Sequence, residues 1–261
     1  MRETYRYSDN KNYWKKRWED IDTDEPMINK DHYPLKYAID TINIQNKSQK
    51  ILEAGCGAGR VLKYFHYRNY NIIGIDFIES AIKKMNAHDS KIEVYTDNIL
   101  STKFNDEQFD SILAFGLYHN FTEFNFITAL VETRRILKKS GFLCFSFRSD
   151  NLQNLILDKI KDKKHSNNVR KFHKLNLKYD EIIKILKSNN FDVLKKEYVT
   201  NMPLLFHFKI FRSKEQKKFN EHLARRDGYN LNFLGKILNK FLITFFKKQY
   251  CNVYVFLCKK I

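Results

Sequence analysis

The stretch Lys50-Ile51-Leu52-Glu53-Ala54-Gly55-Cys56-Gly57-Ala58-Gly59-Arg60 decides the fold. Its apolar first half predicts a short buried strand, and three alternating glycines follow before a helical pattern begins at Val61. Glycine at such a turn lets the backbone pass close under a ligand, where a Cβ atom would collide. The pattern therefore predicts a nucleotide-type cofactor at the carboxyl end of the first strand of a parallel sheet.

The spacing of these glycines decides between two kinds of cofactor. A dinucleotide fingerprint needs Gly-x-Gly-x-x-Gly, and Arg60 stands where its last glycine would be. The segment instead resembles motif I of class I S-adenosylmethionine-dependent methyltransferases, Glu/Asp-x-Gly-x-Gly-x-Gly. The resemblance implies that S-adenosyl-L-methionine is the cofactor, and that it is bound by Glu53, Gly55, Cys56, Gly57 and Gly59.

Acids follow the next two predicted strands. Asp76 ends an apolar strand, where a carboxylate can accept hydrogen bonds from both ribose hydroxyls or cap the next helix. In the methyltransferase family, an acid after the third strand binds the adenine amine and the following amide meets the ring. Asp97 and Asn98 match those two positions, and Phe77 completes the predicted cofactor site.

The fourth predicted strand, Phe109–Phe115, flanks the topological switch point together with the first. Residues 115–120 should therefore line the site opposite the glycine loop. Phe115 and Tyr118 are candidates to lie near the positively charged sulfonium.

Histidines supply the candidate general bases. If the acceptor is a hydroxyl, His119 is placed to remove its proton, whereas the alternative is that it only packs or positions a loop. His173 and His207 are weaker candidates on the substrate side. The sequence shows no metal-ligand cluster, acyl-transfer triad or phosphate-binding loop.

The family resemblance covers Lys50–Phe147 motif by motif and continues loosely through 179–187, 191–199 and 252–258. It implies an α/β fold with a doubly wound, mostly parallel seven-stranded sheet and helical cap insertions at 151–174 and 203–248. We expect an N-terminal helical or lid segment at 1–46, a cofactor-binding core at 47–150, and completion of the sheet within 151–261.

Two features precede the first strand. Tyr13, Trp14 and Trp18 fall at helical spacing and form one aromatic face. This face either packs the helix onto the core or covers the cofactor as a lid, and we favour the first interpretation. A helix is predicted over Pro34–Asn43. A faint resemblance to ubiquinone-biosynthesis methyltransferases implies that Lys36 in this helix meets the cofactor carboxylate.

The charge is concentrated in one part of the chain. Of a net charge of +17, residues 151–261 hold +16, with 25 Lys and Arg against 9 Asp and Glu. This asymmetry indicates an anionic partner, such as nucleic acid, lipid headgroups or a phosphorylated substrate, or only solubility. Amino-group methyltransferases of DNA, RNA or protein often carry Asn-Pro-Pro-Tyr or Asp-Pro-Pro-Tyr after the fourth strand. This sequence has Phe115-Gly116-Leu117-Tyr118 there instead, which disfavours nucleic acid as the substrate.

A helix predicted at about 231–248 carries one apolar face. That face could lie in a membrane surface as a peripheral contact, but packing on the sheet is the commoner arrangement and the one we expect. Its residues are Leu234, Ile237, Leu238, Phe241 and Phe245.

The spacing of the cysteines and the hydropathy of the chain limit the cellular compartments in which we expect the protein. The four cysteines show neither disulfide nor metal spacing, so we expect reduced thiols of an intracellular protein. No run approaches 18 consecutive apolar residues, and no signal-type apolar segment opens the chain. The expected location is therefore cytoplasmic or peripheral at the inner membrane face.

These observations support three hypotheses. The first is a methyltransferase that acts on a small-molecule or lipid-linked acceptor. The second is an RNA methyltransferase whose basic C-terminal half contacts phosphates. The third is a cofactor-fold module without catalysis, tethered to a membrane or partner.

Overall fold

A computed structural model describes residues 1–6, 9–20, 25–44, 48–162, 170–220, 224 and 228–261. The strands are β1 Arg2–Arg6, β2 Ile51–Ala54, β3 Ile72–Asp76, β4 Val94–Thr96, β5 Phe109–Ala114, β6 Leu137–Arg148, β7 Lys171–Asn176, β8 Phe191–Val199 and β9 Val253–Lys260. The helices are α1 Asn10–Asp20, α2 Leu35–Ile42, α3 Arg60–His66, α4 Glu79–His88, α5 Glu123–Ile136, α6 Leu152–Asp162, α7 Tyr179–Ser188 and α8 Phe233–Tyr250.

The central sheet has seven strands in the order β4-β3-β2-β5-β6-β9-β8. Neighbours from β4 through β6 pair in parallel, whereas β9 runs antiparallel to both β6 and β8. The chain leaves β2 towards β3 on one side and returns to β5 on the other, so the switch point lies between β2 and β5. The predicted doubly wound, mostly parallel seven-stranded sheet is confirmed.

Helices cover both faces of this sheet. Apolar residues of α2, α3 and α4 pack on one face, and those of α5 and α7 pack on the other. Alternate strand residues divide between the two cores: Ile51 belongs to the first and Leu52 to the second. Strands buried on both sides form continuous apolar runs, which is why the sequence indicates them clearly.

A second, two-stranded sheet was not predicted. Strand β1 pairs antiparallel with β7, which lies inside the region expected to be a cap insertion. The Arg2 guanidinium fixes this pairing to the core through ion pairs with Asp150, at 2.8 Å, and Asp158, at 2.7 Å. Arg148 contacts the same Asp158 carboxylate from β6. Helix α1 follows β1 and is thereby held over the carboxyl end of the central sheet.

The C-terminal helix forms, but the expectation that its apolar face packs on the sheet is wrong. Helix α8 buries only Gly235, and the five residues of the predicted face are all exposed. Helical periodicity is the same whether a face meets the core or another surface, so the sequence alone could not separate the two. Residues 163–169 of the predicted cap insertion 151–174 lie outside the described residues. Among the residues that are described, no helix combines the length and apolarity needed to cross a membrane.

Candidate active site

A cavity of about 520 Å³ opens at the carboxyl ends of β2, β3 and β5. This volume lies within the range of small-molecule binding sites. The glycine loop and α3 form its floor, α1 forms its roof, and the segment after β5 forms its far wall. From the predicted cofactor site it is lined by Glu53, Gly55, Cys56, Gly57, Asp76, Phe77, Asn98 and Phe115.

The glycine loop lies directly beneath an aromatic ring. Gly57 has φ = +53°, a left-handed conformation that side chains disfavour. A Cβ atom built there would lie 2.5 Å from Cζ2 of Trp18. Both the backbone conformation and the ring above it therefore require glycine at this position.

The Asp76 carboxylate joins the loop to the next helix. Its Oδ2 accepts a hydrogen bond from the Gly57 amide at 3.0 Å, and its Oδ1 accepts one from the Ile78 amide at 3.0 Å. Ile78, not Asp76, is the N-cap residue of α4. Burial raises the pKa of this carboxyl, while the amides of Ile78, Gly57 and Phe77 oppose that shift. Three amide donors leave the carboxylate with acceptor capacity for a further hydrogen bond.

Glu53 is the second buried acid of the site. Its side chain is 6% exposed, and within the described chain no hydrogen-bond donor reaches Oε2. Burial raises its pKa to about 8, although the Leu62 amide and the charge of Arg60 act in the opposite direction. A cationic group entering the cavity would stabilise the ionised form.

Asp97 and Asn98 border a smaller cavity next to the first. It shares with the main cavity Gly55, Asp76, Phe77, Asn98, Leu117 and Phe121. The Asp97 carboxylate accepts hydrogen bonds from the amides of Asn98, at 2.8 Å, and Lys103, at 3.1 Å, which fix the turn after β4. The three predicted acids thus converge on one edge of the sheet.

Helix α1 both packs on the core and covers the cavity. Trp18 is buried against Ala58, Ile78 and Ala81, and Trp14 stacks on it with ring centroids 5.9 Å apart. Both indoles line the cavity. The two interpretations of this aromatic face are therefore compatible, because the same contacts anchor the helix and roof the site.

Asn120 is a site residue that the sequence did not single out. Its Nδ2 donates to the carbonyls of Gly116, at 2.6 Å, and Leu117, at 3.0 Å, which settles the orientation of the amide. The opposite atom, Oδ1, is buried with no hydrogen-bond partner in the described part of the chain. Asn120 lines the cavity, as do Phe121, Thr122, Asn125 and Phe172.

Two predicted residues of the same segment point elsewhere. Tyr118 is fully buried, and its hydroxyl bonds to Thr133 Oγ1 at 2.7 Å, so it belongs to the core and not to the sulfonium site. His119 is 7% exposed, packs against Phe147 and does not line the cavity. Burial first, and then the charges of Lys174 and Arg148, lower its pKa well below the usual value.

The remaining candidates also lie outside the cavity lining. Lys36 is exposed on α2, whereas Arg60, at the start of α3, borders the cavity. His173 contacts the Tyr13 ring, and His207 lies in the short helical turn 204–207. Gly59 has φ = +80° and is the N-cap residue of α3. No group of His, Cys, Asp and Glu able to hold a metal ion occurs among the described residues.

Comparison with known proteins agrees with this geometry. Residues 52–145 match the family described as "Methyltransferase domain". Among curated proteins, no sequence matches the chain significantly.

Solved structures share the fold at low identity. A S-adenosylmethionine-dependent methyltransferase of Methanosarcina mazei is similar with a TM-score of 0.59 and 15% identity, over 88% of this chain and 99% of the other. A S-adenosylmethionine-dependent methyltransferase of Archaeoglobus fulgidus is similar with a TM-score of 0.58 and 16% identity, over 96% of this chain and 95% of the other. A third similar structure is the 1,6-didemethyltoxoflavin-N1-methyltransferase of Burkholderia thailandensis, with bound 1,6-didemethyltoxoflavin and S-adenosylhomocysteine. Its TM-score is 0.53 at 12% identity, over 86% of this chain and 76% of the other.

The sheet order, the glycine loop and the acids at the strand ends agree with a class I S-adenosylmethionine-dependent methyltransferase, and the match of residues 52–145 to the methyltransferase domain family supports the same class.

The residues present fit S-adenosylmethionine. Glu53 Oε2 is a buried acceptor suited to an ammonium group, and the spare lone pairs of Asp76 suit ribose hydroxyls. Phe77, which is 36% exposed, offers an apolar surface beside the smaller cavity. When bound, the cofactor supplies a methyl group on a sulfonium for in-line displacement. The chain's own contribution is to orient both reactants and to exclude water under the α1 roof.

Proposed function

We propose that this enzyme methylates a nitrogen of a small, flat acceptor bound between α1 and the segment 120–125. The observation that carries the proposal is the unpartnered Oδ1 of Asn120 at the cavity wall. A buried carbonyl oxygen without a donor is costly, and an N–H group of the acceptor would satisfy it. The contact would also direct the nitrogen's lone pair away from Asn120 and into the cavity.

The shape of the cavity supports a flat acceptor. Trp14 of the roof, Phe121 of the wall and Phe172 of β7 present three aromatic side chains to it. Asn10 and Asn125 add amide groups, and the Asn10 side chain donates to the Asn120 carbonyl at 2.7 Å. Apolar walls with a few convergent polar groups are typical of sites that bind and orient small molecules.

No histidine lines the cavity among the residues that the structure describes, which favours nitrogen over a hydroxyl as the acceptor atom. His119 lies outside the cavity, and the ionisable residues that line it in the described chain are Lys11, Arg17, Glu53, Cys56, Arg60 and Asp76. The two acids among them, Glu53 and Asp76, are the residues we assign to the cofactor. An amine or ring nitrogen carries its own lone pair, so methylation needs orientation more than proton removal.

A lipid-linked acceptor and RNA are the competing substrates. The basic charge of residues 151–261 favours an anionic partner, and a lipid-linked acceptor could present a flat headgroup to the same cavity. Incubating cell extract with the enzyme and methyl-labelled cofactor, followed by separation into metabolite, lipid and RNA fractions, distinguishes the three. We expect label in the metabolite fraction, and label confined to RNA would refute the proposal.

Substitution of Asn120 tests the contact itself. Once the acceptor is identified, Asn120→Ala should lower kcat/KM for methyl transfer by about 10- to 100-fold. The affinity for S-adenosylmethionine, measured by calorimetry, should change little. Thr128→Ala, at a half-buried position of α5 outside the cavity lining, is the matched control. Retained kcat/KM in Asn120→Ala would show that Oδ1 does not contact the acceptor.

A further inference from the structure

Helix α1 arranges the cavity along its own length. Lys11, Trp14 and Trp18 line the cavity, and their spacing of three and four residues places them on one face of the helix. Trp18 lies over the glycine loop, at the cofactor end of the cavity. At 1.5 Å per residue, Lys11 lies about 10 Å further along the helix, beyond Trp14. The roof therefore presents an indole over the loop, a second indole in the middle and an ammonium group at the far end.

The far end of α1 is joined to the acceptor side of the cavity. Nδ2 of Asn10, the residue before Lys11, donates to the Asn120 carbonyl at 2.7 Å. Oδ1 of Asn10 accepts a hydrogen bond from the Arg6 guanidinium at 2.6 Å, and that guanidinium lies 3.5 Å from the centre of the Tyr13 ring. These contacts hold the helix backbone at Lys11 next to the residue that we assign to the acceptor.

The Lys11 ammonium has no ion-pair partner among the residues that the structure describes. Asp9, the acid nearest to it in sequence, binds other groups. Its carboxylate accepts hydrogen bonds from the amide and the side chain of Asn12, at 2.8 and 2.7 Å, and pairs with Lys171 at 3.5 Å. Lys11 is exposed and also lines the cavity, so its charge is available to a ligand that enters.

The other charged residues of the cavity lining lie towards the cofactor. Arg17 adjoins the indole over the loop, and its guanidinium lies 5.7 Å from the centre of the Trp14 ring. The charge of Arg60 acts on Glu53, one of the two acids that we assign to the cofactor, and Asp76 is the other. Within the described chain, the acceptor end of the lining therefore holds one cation and no acid.

We propose that the methyl acceptor carries an anionic group, a carboxylate or a phosphate, and that Lys11 binds it. This inference rests on the proposed function, because it takes the acceptor to be a small flat molecule under Trp14 with its nitrogen at Asn120. A hydrogen bond to Asn120 alone leaves the acceptor free to turn about that contact. An ion pair at Lys11 adds a second fixed point and keeps the reacting nitrogen aimed at the methyl group.

The charge of the cofactor acts in the same direction. Its sulfonium adds positive charge to the cavity when it is bound. An anionic acceptor complements that charge, whereas a cationic acceptor would be repelled by it and by Lys11.

Rates of methyl transfer test the role of Lys11 in the full chain. The probe is methyl-labelled S-adenosylmethionine with the metabolite fraction of a cell extract at limiting acceptor. Lys11→Gln should incorporate label about 3- to 10-fold more slowly than the wild type, because a solvent-screened ion pair to the acceptor is lost. Lys11→Arg keeps the charge and should keep most of the rate. Raising the NaCl concentration from about 0.05 to about 0.3 M should slow the wild type more than Lys11→Gln.

A second lysine of the same helix provides the matched control. Lys16 is exposed and does not line the cavity, so Lys16→Gln should incorporate label like the wild type. All three variants should keep the wild-type affinity for S-adenosylmethionine in calorimetry, which shows that they are folded.

The labelled product identifies the anionic group. Its accurate mass and fragment spectrum show whether it contains a carboxylate or a phosphate, and alkaline phosphatase changes its mass only in the second case. With the purified acceptor, Lys11→Gln should raise KM and leave kcat nearly unchanged, since the ion pair is the same before and during methyl transfer.

The outcomes separate this inference from the proposed function. A labelled metabolite without an anionic group would overturn the inference and leave the proposed function intact, and so would equal rates for Lys11→Gln and Lys16→Gln. Label confined to lipid or RNA, or no label in any fraction, would instead refute the proposed function.

Discussion

Oδ2 of Asp76 lies 3.0 Å from the backbone nitrogen of Gly57, so the acid at the end of β3 holds the glycine loop at the end of β2. Its other oxygen holds the amide that precedes α4. The carboxylate therefore organises the cavity floor before any ligand arrives, and we predict that it also accepts a hydrogen bond from the ribose of the cofactor.

Asp76→Ala should weaken S-adenosylmethionine binding by about 10- to 100-fold or more, because hydrogen bonds to a charged group are lost together with the loop contact. Isothermal titration calorimetry measures this loss. Asp89→Ala, at the far end of α4, is the control and should bind normally. Unchanged affinity in Asp76→Ala would refute the ribose assignment.

Gly57→Ala should destabilise the protein and weaken cofactor binding, since the new methyl group would meet Trp18 in a left-handed backbone conformation. Gly116→Ala is a matched control for backbone strain alone, because Gly116 has φ = +73° and no atom lies within 4 Å of the place its Cβ would take. We expect the larger fall in the denaturation midpoint for Gly57→Ala. Equal falls would show that the ring contact is unimportant.

Glu53→Gln should change how stability depends on pH. The folded-state pKa of about 8 lies above the ordinary value of 4.5, so the wild-type fold binds a proton there that the unfolded chain has released. Its stability should therefore decline from pH 4.5 to 8, by at most about 1.4 kcal/mol per pH unit from this group. The variant should lack that contribution. Urea denaturation of both proteins at pH 5 and 8 measures the difference, and parallel profiles would contradict the assignment.

His119→Gln should affect acid stability and leave methyl transfer largely intact. The folded-state pKa of His119 is depressed below 6.5, so acidification protonates the unfolded chain first and destabilises the fold. We expect the variant to lose less stability than the wild type between pH 7 and 5. Turnover measured at pH 8 checks the second half of the prediction. A large loss of turnover with an unchanged pH profile of stability would restore His119 as a base.

The central sheet of this fold could be predicted from the sequence because each of its parallel strands is marked by residues that are close together in the chain. Buried parallel strands are short apolar runs, and each of β2 and β3 ends in residues whose roles follow from that position. Once the register is fixed, the acids Glu53 and Asp76 must meet at one edge. The order of the motifs then predicts the order of the strands.

What the sequence could not supply depends on distant contacts or on fine turn geometry. Strands β1 and β7 carry charges among their apolar residues and pair across about 170 positions, so neither resembles a buried strand. The short helical turn at 118–120 directs Tyr118 and His119 inward and leaves Asn120 at the cavity. The sequence predicted that residues 115–120 line the site, but it did not distinguish the residues that border the cavity, such as Asn120, from those that enter the core.

The pairing of β1 with β7 also sets an order of assembly during translation. Thr4 and the Lys174 carbonyl that its hydroxyl bonds are 170 residues apart, so β7 must be made before β1 can pair. Until then α1 is held only through contacts such as those of Trp18 with Ala58, Ile78 and Ala81. The tether that fixes α1 over the methyl-donor site is therefore completed late in synthesis.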